Sequence, residues 1–131
     1  MVDKINSDTK LKVINIDIPS NHSDIFSLLT VFYKTENNSA EKIIHQEFNK
    51  YYELTTTYYL VNETPIYIEQ NYDIKSAPDR PAQNAFYIQN WNMNKYVLKK
   101  KNLGGRKFEK EKWEKIIELS NSKVSNIMGN H

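Results

Sequence analysis

The chain has 131 residues, enough for one domain with a real core. It contains no cysteine, which removes disulfides, thiolate metal sites and a cysteine nucleophile together. No stretch approaches the roughly 20 apolar residues needed to cross a bilayer, and the first residues are polar without an apolar signal core, so a cytoplasmic protein is expected.

Residues 1–10 read as a flexible leader and 11–131 as a single domain. Leu11 to Ile18 alternates Ile14, Ile16 and Ile18 against Asn15 and Asp17, the period of a half-buried strand ended by Pro19. Ser23 or Asp24 can cap a short helical turn. Leu28 to Tyr33 is a second strand, rich in β-branched and aromatic residues. After a turn at 36–39, Asn38 and Glu41 have the spacing of a capping box. Ile44, Phe48 and Tyr51 then fall at steps of four and three, which predicts a helix over 39–52. Residues 55–70 read as a hairpin turning at Asn62 to Pro65, and 75–85 as a loop carrying Pro78 and Pro81. Two more strands follow, Phe86 to Trp91 and Lys95 to Lys99, joined through Asn92-Met93-Asn94. Gly104-Gly105 breaks the chain. Trp113, Ile117, Ser120, Val124 and Ile127 then mark one helix over about 108–128, with Gly129 as its C-cap and a break at Asn121-Ser122 as the alternative. The expected architecture is α+β: an antiparallel or mixed sheet of four to six strands covered by two main helices, 39–52 and 108–128.

Charge is unevenly spread. Residues 1–94 carry a net −4 and residues 95–131 a net +6, giving +2 overall. The excess is local: Lys95, Lys99, Lys100, Lys101, Arg106 and Lys107 occur within thirteen residues that contain no acid. Lysines neutralise phosphates without reading bases, and neighbouring aromatics such as Trp91, Tyr87 and Tyr96 can stack on unpaired bases. The amides of Gly104, Gly105 and Arg106 can approach a phosphate closely. Lys outnumbers Arg 16 to 2, which favours backbone contact over base readout. The same lysines also suit a solvated strand end. A helix-turn-helix at Asn121-Ser122 is disfavoured, because too little chain follows for a recognition helix.

Glu41 and His45 are four apart on the expected helix and could act as a weak metal or acid–base pair. Leu28 to Phe32, Ala40 to Phe48 and Tyr58 to Leu60 together resemble the second half of GIY-YIG nuclease domains. There an apolar strand leads to a helix reading A-E-x-x-x-H-x-x-F, then to a short aromatic strand. The resemblance implies a metal ligand at Glu41. The G-x-Y and Y-x-G signature and its arginine are absent, which implies lost nuclease chemistry on a surviving binding fold.

The expected function is therefore a small non-enzymatic nucleic-acid-binding protein that contacts phosphates through residues 95–107 and needs no cofactor. The alternative is a protein–protein interaction module, such as an inhibitor or adaptor. The abundance of Asn, Ile, Lys and Tyr is that of an A/T-rich source, a phage or plasmid among them. A degenerate GIY-YIG-like nuclease is the second alternative.

Overall fold

The computed structural model describes residues 11–18, 26–34, 40–76, 82–101 and 108–129. The expected leader, the 36–39 turn, Pro78, Pro81, the Gly104-Gly105 break, Arg106 and Lys107 lie outside them. Seven strands form one antiparallel sheet in sequence order: β1 (Lys12–Asp17), β2 (Phe26–Tyr33), β3 (Ala40–Phe48), β4 (Tyr52–Val61), β5 (Thr64–Ile74), β6 (Ala82–Asn90) and β7 (Lys95–Lys101). One helix, α1 (Lys110–Gly129), follows. It is not long and apolar enough to cross a membrane.

This corrects the expected architecture. Among the described residues the sheet has seven strands rather than four to six, and one helix covers it rather than two. The predicted helix 39–52 is instead strand β3 and the turn after it. Helix propensities differ by only tenths of a kcal/mol per residue. Here β2 and β4 flank the segment and offer ladder hydrogen bonds to both its edges. The strand then stops at Asn49, whose Oδ1 accepts hydrogen bonds from the amides of Tyr51 (2.8 Å) and Tyr52 (3.0 Å). A side chain that satisfies local amides this way favours a turn over a continuing helix.

The β4–β5 hairpin closes on Asn62 and Glu63, both with positive φ (51° and 68°), the geometry of a tight two-residue turn matched to strand twist. Pro65 lies in β5 opposite Leu60, where the register shifts, so its missing N–H falls at an irregular point of the ladder. β6 starts at Ala82, four residues earlier than its apolar run implies.

Strand alternation gives the sheet two faces. On the inner face one register row spans all seven strands: Ile14, Val31, Ile43, Tyr58, Ile68, Phe86 and Leu98. Helix α1 packs here. Trp113 meets Tyr58 and Phe86 edge-on at centroid distances of 6.5 and 5.0 Å, and Ile117, Ser120 and Val124 are buried about one, two and three turns on. The helix is continuous through Asn121-Ser122. Asn121 Oδ1 accepts a 2.7 Å hydrogen bond from the Ala40 amide at the start of β3, so a residue that could have broken the helix ties it to the sheet.

Candidate functional site

The outer face has no described element packed on it, and one of its rows is rich in aromatic residues. A second seven-strand row, offset by one residue from the core row, runs Val13, Phe32, Lys42, Tyr59, Tyr67, Tyr87, Val97. Tyr59 and Tyr67 lie 5.6 Å apart between ring centroids, and Tyr67 and Tyr87 4.9 Å. Val13 (49%), Tyr87 (42%) and Val97 (43%) are exposed, while Tyr59 is buried between its neighbours. Lysine ammonium groups rest on this row: Lys42 lies 5.4 Å from the Phe32 centroid and 5.3 Å from that of Tyr59, and Lys99 lies 5.3 Å from Tyr87. Such contacts keep a cation beside aromatic surface.

The row beside it carries Thr30, Ile44, Thr57, Glu69, Ala85 and Lys99. Glu69 accepts hydrogen bonds from Gln83 Nε2 (2.6 Å), Tyr67 Oη (3.3 Å) and Asn71 Nδ2 (3.4 Å). Burial, and then the Glu69 charge, push the Tyr67 phenol well above its usual range, so it stays a donor. At the far end of the face Phe26 stacks on Phe48 at 5.6 Å, near Glu53 and its register partner Asp73.

The expected basic residues divide. Lys95 and Lys99 are exposed on β7, Lys99 beside Tyr87 and Lys95 opposite Asn90. Lys100 and Lys101 are backbone partners of Asn84 and Gln83. Trp91 is half-buried in the β6–β7 turn, edge-on to Phe108 at 5.9 Å, with Lys110 5.1 Å over its ring and hydrogen-bonded to its carbonyl. Its ring is therefore committed to seating the start of α1. The aromatic row itself was hidden in the sequence, because Phe32, Tyr59, Tyr67 and Tyr87 come together only through register. The signal available was the every-other-residue alternation within each strand taken separately.

Glu41 and His45 are not on a helix face. Four residues along a strand separates their Cα atoms by about 13 Å. Glu41 pairs with Lys34 at 3.5 Å. Among the described residues no three His, Asp or Glu side chains gather as a metal site.

His45 belongs to the inner face, in a buried polar row next to the apolar core row. Leu29, His45, Thr56, Gln70 and Asn84 are register neighbours across β2–β6. Asn84 Nδ2 donates to Gln70 Oε1 (3.3 Å), and Gln70 Nε2 to Thr56 Oγ1 (3.5 Å). His45 Nε2 lies 2.6 Å from Ser27 Oγ, and its Nδ1 lies 3.5 Å from Glu47 Oε1 without a well-aligned hydrogen bond. Lys112 of α1 holds Glu47 at 2.8 Å. Burial lowers the His45 pKa from 6.5 to about 4, with Glu47 opposing and Lys112 reinforcing the shift. The imidazole is neutral near pH 7.

No family model, curated protein or solved structure matches the chain. The functional assignment therefore rests on the faces of the sheet.

Proposed function

We propose that the protein binds single-stranded nucleic acid across the outer face of the sheet. The observation that carries this reading is the row Phe32–Tyr59–Tyr67–Tyr87 with Lys42 and Lys99 resting on its rings. Stacking on the exposed Tyr87 and the half-buried Tyr67 is tolerant of sequence, and lysines supply the phosphate contacts. Strand spacing puts Lys42 on β3 and Lys99 on β7 about 19 Å apart, a span for a short run of unpaired nucleotides. The acids Glu53 and Asp73 lie at the other end of the face, so a polyanion is confined to the lysine-bearing rows.

Fluorescence anisotropy with labelled single-stranded DNA and RNA across a salt series tests this. Tyr67→Ala and Tyr87→Ala each weaken binding by about 1–3 kcal/mol. Lys99→Glu weakens it and flattens the salt dependence. An absence of binding at low salt, or affinity untouched by Tyr87→Ala combined with Lys99→Glu, removes the proposal.

A protein partner is the second reading, favoured by the exposed Phe26–Phe48 stack at the acidic end of the same face. In that case nuclease-treated lysate yields a partner whose capture is lost on Phe26→Ser with Phe48→Ser.

A further inference from the structure

We propose that Ser27, His45 and Glu47 form a nucleophile–base–carboxylate triad on the inner face of the sheet, able to take an acyl group from an electrophilic carboxyl ester. The proposal is independent of the outer face. Ser27 and Glu47 are register partners on β2 and β3, and His45 sits two residues from Glu47 on the same face. The topology thus brings together, from two hairpin-connected strands, three residue types whose order and spacing in the chain give no sign of a triad.

The groups stand in the order that nucleophilic catalysis needs: Ser27 Oγ is 2.6 Å from His45 Nε2, and Glu47 Oε1 faces His45 Nδ1 at 3.5 Å, in range of a charge contact but without an aligned hydrogen bond. The carboxylate facing Nδ1 selects the tautomer protonated there, because a bare ring nitrogen would set lone pair against lone pair. That leaves the Nε2 lone pair pointing at the serine hydroxyl. Lys112 holds Glu47 at 2.8 Å and so fixes the group that orients the imidazole. His45 and the wall residues Leu29 and Leu54 are buried, whereas Ser27 is only partly buried, beside the exposed Phe26. An ester thus approaches from the Ser27 end. Burial keeps the imidazole unprotonated down to about pH 4, ready to accept a proton through the neutral range.

Ser27 Oγ forms a bond to the ester carbonyl carbon while its proton passes to His45 Nε2. The carbon–oxygen bond to the leaving alcohol breaks, and the imidazolium returns that proton to the alkoxide. Water then attacks acyl-Ser27 through the same base, releasing the acid and restoring the hydroxyl. Glu47 is a positioning residue, since it acts through His45.

A fluorescent fluorophosphonate, which replaces its fluoride with the oxygen of an activated serine, is the probe. The folded full chain is expected to gain one adduct, located on Ser27 by peptide mass spectrometry and abolished by Ser27→Ala. His45→Gln slows labelling by about 100-fold. Glu47→Gln slows it less, Glu47→Asp restores it, and Glu118→Gln, at an exposed position of α1, leaves it unchanged. The labelling rate of the unaltered protein stays level from pH 8 to 5 and falls below; this measurement decides the matter if His45→Gln fails to fold. No adduct on the folded chain, an adduct elsewhere, an equal rate on the urea-unfolded chain, or a rate falling through pH 6.5 overturns the proposal.

Discussion

The two faces of the sheet are built from the same seven strands by the same alternation, yet they bury different chemistry. The inner face sets an apolar row, Val31 to Phe86, beside a buried polar row, His45 to Asn84, and α1 closes over it. The outer face places its tyrosines in one row and its phenylalanine stack, Phe26–Phe48, at the acidic end, with nothing described above it. Exposure sets what each residue costs. A polar group on the outer face keeps water as a partner, whereas one on the inner face must find a partner in the protein or raise the energy of the fold. Most of the inner polar row is hydrogen-bonded; Tyr58 Oη and His45 Nδ1 are buried without a hydrogen bond.

The sharpest break of this contrast is truncation at matched aromatic positions. Trp113→Ala removes the ring that joins α1 to Tyr58 and Phe86 and is expected to cost about 3–5 kcal/mol in urea unfolding. Tyr87→Ala on the outer face costs about 1 kcal/mol or less. Equal losses would mean that the outer face is covered after all.

Next in size is a pH effect confined to the inner face. Unfolded His45 titrates near 6.5 and folded His45 near about 4. Between these values the unfolded chain binds more protons, so stability falls as pH is lowered through that window. The loss reaches on the order of 3 kcal/mol by pH 4. Stability curves of the unaltered protein and His45→Gln should converge as pH falls and separate above pH 6.5; parallel curves would show that His45 is solvated.

The smallest effect sharpens the comparison. Burial, with the Glu47 and Glu109 charges, pushes the Tyr58 phenol far above its ordinary range, so it is a neutral hydroxyl lacking a hydrogen bond. Tyr58→Phe is expected to leave unfolding free energy unchanged or raise it by up to about 1 kcal/mol. A clear destabilisation would reveal a partner for that hydroxyl.

Period-two runs with β-branched residues and turn chemistry made six of the seven strands readable, and the stripe from Trp113 to Val124 made the helix readable. Strand β3 was not, for a specific reason. Its inner positions hold His45 and Glu47, and its outer ones Ile44 and Phe48. Alternation of polarity is therefore inverted along its second half, and the helical spacing of Ile44, Phe48 and Tyr51 stood out instead. The candidate sites were less legible still. Lys95 and Lys99 were visible as charge, but the tyrosine row and the Ser27–His45 contact arise from cross-strand register, which no single segment encodes. Trp91 looked like a stacking residue because sequence distance to the lysines was small; the fold turns its ring toward Phe108 instead.

The order of elements also shapes how the protein is made. Each strand pairs with the one before it, so the sheet can zip up as the chain leaves the ribosome. Helix α1 comes after all seven strands, and at ordinary elongation rates Trp113 follows Phe86 by a time on the order of seconds. During that interval the nascent sheet presents apolar surface on both sides, with the unpaired edge of its newest strand beside it. The step most exposed to misassembly is thus the wait for the helix, and chaperone occupancy should peak there and end once α1 has emerged.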